Sequence, residues 1–95
     1  MTKKEEIMQF LHVNVFDPIL DSHTASKGLK QGVRYTIMRL HQLEAPGMVQ
    51  YYWSALQGTD RSPGFARLMR EEGFTRFEEI IDAFRERFTD EWLRS

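Results

Sequence analysis

The sequence predicts an all-α fold, a small bundle of about five short helices with no β-sheet. Apolar residues recur at helical spacing in several windows, whereas no window alternates apolar and polar residues as a half-buried strand would. Proline and glycine then divide the chain into segments of helical length. We therefore predict a single helical domain, 1–95, with helices at approximately 3–14, 26–43, 46–57, 63–72 and 76–88.

The composition supports a packed domain of ordinary kind. The chain has 95 residues, of which 41% are hydrophobic, 13% aromatic and 28% charged. The apolar residues are enough for one packed core, and the charged residues are enough for a solvated surface. It contains no cysteine, which excludes a disulfide scaffold and a thiolate zinc site. Because no apolar signal region follows the N-terminal lysines and no long uncharged stretch occurs, we expect a cytoplasmic protein without a membrane segment.

Capping residues and apolar spacing place the first two helices. Thr2 and Glu5 have the spacing of a capping box. Asp17 and Pro18 are expected to cap and open a separate helical turn. The second helix is expected to begin between Ser26 and Leu29. Its inner stripe is predicted to be Leu29, Val33, Thr36, Ile37, Leu40 and Leu43.

The third helix opens at Pro46, stops at Gly58 and carries three consecutive aromatic residues. Spacing predicts a core stripe of Val49, Tyr52, Trp53 and Leu56. It places Met48, Tyr51 and Ala55 on nearly the opposite side. Either the helix packs on both sides, or this second set is a partner-facing patch, since Tyr and Met are enriched at interface centres.

The last two helices follow from equally local patterns. Ser62 and Pro63 predict the start of the fourth helix, and Gly73 predicts its end. The fifth helix has the most regular amphipathic pattern of the chain and follows a second capping box, Thr75 with Glu78. Its apolar positions are Phe77, Ile80, Ile81, Phe84 and Phe88.

Charge is distributed unevenly although the net charge is only −1. The segment 22–43 carries several cations and no acid, and a basic helix, 27–41, aligns Lys27, Lys30, Arg34 and His41 along one edge. This edge is either a solvated face or a phosphate-facing one. The segment 48–72 also has the layout of a helix-turn-helix. Its second helix carries Arg67 and Arg70, with Arg61 just before it.

Small residues mark a second surface on the same basic helix. Gly28 and Gly32 lie one turn apart beside Tyr35, and glycine lets another backbone approach closely. We expect this set to pack closely, either within the chain or across a homodimer. If the helix begins later than Gly32, the two glycines do not lie on one helical face and their spacing has no meaning.

No arrangement of residues points to catalysis. The histidines His12, His23 and His41 lack metal-ligand spacing, and no glycine-rich phosphate loop is present. We therefore predict no catalytic residue, metal or cofactor. The sequence favours a non-catalytic interaction or regulatory protein that self-associates or binds a protein partner through one of the two apolar surfaces. The alternative is a nucleic-acid-binding protein that uses the six lysines and arginines named above.

Overall fold

A computed structural model shows the all-α fold that the sequence predicts. It describes residues 1–59, 62–63, 65–74 and 77–94, with the backbone alone for 55–59, 62–63, 65–66, 68 and 77–78. No helix in these ranges is long and apolar enough to cross a membrane. The elements are α1 (Lys3–Leu11), a π-helical segment (His12–Phe16), α2 (Asp17–Leu20), α3 (Lys27–His41), α4 (Ala45–Gln57), β1 (Gly58–Thr59), β2 (Ser62–Pro63), α5 (Phe65–Glu71), α6 (Phe77–Arg87) and α7 (Asp90–Arg94).

The start of α1 confirms the first capping box. The Thr2 hydroxyl accepts a hydrogen bond from the Glu5 amide at 3.1 Å, and the Thr2 amide donates to the Glu5 carboxylate at 3.3 Å. The hydrogen bond to the Thr2 hydroxyl is thus reciprocated by one to the Glu5 carboxylate, and two helix-terminal donors are satisfied. The second predicted capping box, Thr75 with Glu78, lies outside the described residues.

Two lysines of α1 reach the ends of other helices. The Lys4 ammonium donates to the carbonyl of His41 at 3.4 Å, and the Lys3 ammonium donates to the carbonyl of Leu93 at 2.9 Å. The last carbonyls of a helix lack intrahelical partners and carry partial negative charge, so cations there are favourable. These contacts tie the N-terminal helix to α3 and α7.

The predicted break at Asp17 does not occur. Asp17 has helical dihedrals, φ −64° and ψ −43°, and its amide donates to the carbonyl of His12, five residues earlier. Pro18 has no amide hydrogen, and its ring crowds the carbonyl four residues back, so the helix widens before it instead of ending. The Asn14 side chain donates to the Phe10 carbonyl at 2.9 Å within the widened turn.

The core is built around a chain of aromatic rings. Phe84 lies at its centre, with ring centroids 4.9 Å from Tyr52, 4.9 Å from Phe88 and 6.0 Å from Phe10. These rings come from α1, α4 and the region of α6, so one cluster holds elements distant in sequence together. The tilted and edge-on arrangements are those that aromatic pairs favour.

The inner face of α4 differs from the predicted stripe. Among the side chains of α4 that the structure describes, those of Ala45, Met48 and Tyr52 are buried, whereas Val49 and Trp53 are only half-buried. The helix is therefore rotated toward Met48 relative to the prediction, because α1 and α3 both pack against it. Leu56, the last predicted core residue of this helix, is described by its backbone alone.

A short antiparallel ladder joins α4 to α5. Gly58 pairs with Pro63, and Thr59 pairs with Ser62. Within the described residues, the ladder comprises only these two residue pairs, and the predicted all-α class is confirmed.

Gly73 ends α5 as predicted, through a left-handed residue. Its φ is +90°, its amide donates to the Arg70 carbonyl at 3.1 Å, and the Phe74 amide donates to the Met69 carbonyl at 2.8 Å. These two bonds form a Schellman motif, which satisfies carbonyls at the helix end. The motif turns the chain toward α6.

Alanine at Gly73 should lower the free energy of unfolding by about 1 kcal/mol, because a Cβ disfavours positive φ. Apart from its chain neighbours, no heavy atom of the described residues lies within 4 Å of that Cβ, so the expected cost is conformational. Gly28→Ala is the matched control. Its Cβ would meet only the Ser26 hydroxyl, at 3.9 Å, so we expect a gain of up to about 1 kcal/mol. Urea denaturation that gives both variants the same sign would contradict this assignment.

Candidate interaction surface

The predicted patch on α4 is not a continuous surface. Met48 is 0% exposed and packs in the core, so the expectation that it faces a partner is corrected. Tyr51 is half-buried, and the Arg39 guanidinium lies 5.8 Å from the centroid of its ring. The side chain of Ala55 lies outside the described residues. Only Tyr51 of this set is shown at the surface.

Of the two glycines of α3 that were expected to pack closely, within the chain or across a homodimer, Gly28 does not pack closely within the chain. Gly28 is exposed, and a Cβ there would meet no atom of another helix. Gly32 is half-buried, and its carbonyl accepts a hydrogen bond from the Thr36 hydroxyl at 2.8 Å. Tyr35, the third member of the set, is 56% exposed. Close intramolecular packing therefore does not explain Gly28.

The structure adds Met38 to this surface. Met38 is 50% exposed and lies three residues after Tyr35, so the two side chains are neighbours on the helix. Sequence reasoning missed Met38, although its position opposite the Leu29, Val33 and Leu40 stripe could have identified it. We define the α3 face as Tyr35, Met38, Arg39 and Tyr51.

Cations border the α3 face. Lys27 and Arg34 are exposed, and Lys30 and Arg39 are half-buried. The Arg39 guanidinium donates to the Gln42 side-chain oxygen at 2.9 Å and also lies over the Tyr51 ring. Because the segment 22–43 contains no acid, no carboxylate of this segment neutralises these charges. The surface therefore combines apolar contact area with positive potential.

The two cationic helices are neighbours, as the nucleic-acid alternative requires. Helix α3 contacts α5, and both the amide and the hydroxyl of Ser26 donate to the Glu72 carboxylate at 2.6 Å. Arg67 and Arg70 of α5 are exposed, but Arg67 donates to Glu71 at 3.1 Å. Two acids, Glu71 and Glu72, thus lie next to the cations that were predicted to bind phosphate. Arg61 falls outside the described residues.

The link between Ser26 and Glu72 predicts a pH dependence. Hydrogen bonds from the Ser26 hydroxyl and then from its amide hold the pKa of Glu72 below its ordinary value of 4.5. A depressed folded pKa means that the contribution to stability is present above pH 4.5 and is lost as the pH falls through the folded pKa. In thermal unfolding, Glu72→Gln should be less stable than wild type at neutral pH. The difference should shrink below pH 4.5, and a constant difference would contradict the assignment.

One histidine has an acidic neighbour that the sequence did not suggest. His12 Nδ1 lies 3.0 Å from Asp17 Oδ1, and the imidazole is edge-on to Phe16 with centroids 5.4 Å apart. Residues five apart meet here because the π-helical turn is wider than an α-helical one. Within the described ranges, no group of three or more His, Asp or Glu residues could hold a metal ion. The pair has no nucleophile beside it in the contacts that the structure gives.

Comparisons with known proteins find no relative of this chain. No protein family, no curated protein and no solved structure matches it. Its function must therefore be argued from the α3 face and its surroundings.

Proposed function

We propose that this protein is a non-catalytic interaction protein that binds another protein through the α3 face. The observation that carries the proposal is the exposure of two adjacent large apolar side chains, Tyr35 at 56% and Met38 at 50%. Tyr, Met and Arg are enriched at the centres of protein interfaces. Together with Arg39 and Tyr51, the face has the composition of such a centre.

The position of the face also suits binding. Helix α3 has 15 residues and is anchored on its inner side by Leu29, Val33 and Leu40, all essentially buried. A helix of this length presents a ridge of about 22 Å, enough to line a partner helix. Because the inner side is fixed in the core, binding on the outer side requires no rearrangement of the fold. Covering Met38 fully would contribute up to about 2 kcal/mol.

Site-specific photocrosslinking tests this proposal. The photoreactive amino acid p-benzoylphenylalanine replaces Tyr35 in one variant and Met38 in another, and the cells that produce the protein are irradiated. We expect discrete crosslinked protein species from both positions. Val13 is the matched control, because it is 63% exposed but lies on the π-helical segment. The proposal would be overturned if neither α3 position gave crosslinked species, or if Val13 gave the same crosslinked species in the same yield.

A second candidate function is nucleic-acid binding through the cations of α3 and α5. The contact between these two helices favours it, since Lys27 and Arg34 of α3 and Arg67 of α5 are all exposed. The double variant Arg34→Glu and Arg67→Glu should then weaken binding to duplex DNA and flatten its salt dependence. Wild-type protein that fails to bind DNA at low salt would exclude this candidate. The presence of Glu71 and Glu72 in the same region makes it the second choice.

A further inference from the structure

We infer that the partner presents an acidic amphipathic helix, which lies along α3 with apolar side chains on Tyr35 and Met38 and carboxylates toward the flanking cations. This inference rests on the proposed function and specifies the chemistry of the partner. It is carried by charge complementarity around an exposed apolar pair. The apolar pair supplies contact area, and the cations supply orientation and selectivity.

The flanking charges select the sign of the partner. On α3, Lys27 and Arg34 lie exposed on one side of Met38, and on the other side Arg39 lies over the Tyr51 ring. Opposite potentials across an interface raise association rates, whereas the juxtaposition of like charges costs several kcal/mol. A partner with lysines at its flanks would therefore be rejected. A partner with glutamates or aspartates would be steered onto the helix.

A second copy of this chain fits the face poorly. Two α3 helices placed against each other would oppose cations with cations, because neither copy has an acid in the segment 22–43. Helix α6 is acidic, with Glu79, Asp82 and Glu86 exposed, and Phe84 within it is buried in the core. Along the described residues 79–87, α6 exposes no large apolar side chain. Residues 79–87 of this acidic helix thus lack the exposed apolar anchors that the α3 face would bind.

Nucleic acid is also a poorer fit to this particular face. A phosphate backbone is bound by cations and does not bury methionine, so Met38 would remain unused in such a complex. Base stacking on aromatic side chains is the single-stranded exception, and a DNA strand is therefore one arm of the test. Glu71 and Glu72 lie beside the cations of α5 and would repel phosphates from that end.

Two synthetic peptides of about 18 residues test the inference. Both carry leucine and phenylalanine at i, i+3, i+4 and i+7, one with glutamates and the other with lysines at the flanks. Isothermal titration of the whole chain should show the glutamate peptide binding at least about tenfold more tightly, a difference of about 1.4 kcal/mol. Its affinity should fall as salt rises. Amide shifts in NMR spectra should cluster on α3.

Matched substitutions make the test specific to the α3 face. Tyr35→Ala and Met38→Ala should each weaken the glutamate peptide severalfold, whereas Val13→Ala should leave its affinity unchanged. Equal binding of the two peptides, unchanged affinity in both α3 variants, or tighter binding of single-stranded DNA at the same face would overturn the inference. If the glutamate peptide shows no preferential binding while crosslinks form at Tyr35, the proposed function stands and only the inference of an acidic helical partner is wrong. If the crosslinks fail too, both are wrong.

Discussion

Replacing Phe84 with alanine should destabilise the protein by about 3–5 kcal/mol, as a large aromatic residue lost from a core does. Phe84 is 1% exposed and its ring contacts Tyr52, Phe88 and Phe10. The Phe84 ring contacts three other rings that come from different parts of the chain. Removing it therefore leaves a cavity between those rings. A domain of this size has only about 5–14 kcal/mol in total, so the variant should be close to unfolding at moderate temperature.

Urea denaturation followed by circular dichroism measures this effect. Phe84→Leu is the control, since it retains most of the apolar volume and should cost clearly less than the alanine variant. Ala83→Ser, at an exposed neighbouring position, should change stability by less than about 0.5 kcal/mol. If Phe84→Ala costs under about 1 kcal/mol, the aromatic chain does not organise the core.

The second large effect concerns the two residues that the sequence placed on one patch of α4. Met48→Ala should cost about 2–5 kcal/mol, and Met48→Glu should prevent folding, because Met48 is 0% exposed and an unpaired charge would be buried. Tyr51→Glu should give a folded protein, since Tyr51 is only half-buried and its ring lies beneath the Arg39 guanidinium. Thermal unfolding by circular dichroism distinguishes the two.

The comparison also tests the assignment of the α3 face. If Met48→Glu folds with wild-type stability, Met48 lies at the surface and the predicted patch on α4 regains its support. If Tyr51→Glu unfolds the chain, Tyr51 is a core residue and the face reduces to Tyr35, Met38 and Arg39. A folded Tyr51→Glu variant can then enter the peptide titration, where it should weaken the glutamate peptide through charge repulsion.

Part of the candidate surface was predictable from local pattern. Tyr35 and Tyr51 were both singled out from sequence, but in separate sets, and Met38 was missed. Helical periodicity shows which residues share a side of one helix. It cannot show that Arg39 bridges from α3 to the Tyr51 ring, because that contact depends on how α3 and α4 are placed against each other.

The sequence alone determined the features that depend on near neighbours along the chain. The capping box at Thr2, the inner residues Leu29, Val33 and Leu40 of α3, and the end of α5 at Gly73 all follow from residue spacing and backbone conformation. The two caps act over three to five residues, so their physical cause lies within the local sequence, and the inner residues of α3 share one side by helical periodicity.

Tertiary structure decided the rest. It continued the helix through Pro18 by widening one turn, and it rotated α4 so that Met48 rather than Val49 and Trp53 entered the core. Of the three consecutive aromatic residues Tyr51, Tyr52 and Trp53, only Tyr52 is buried in the core, and the other two are half-buried. An apolar residue gains by burial on whichever side a neighbouring element arrives, and a single helix with apolar residues on two sides does not specify that side.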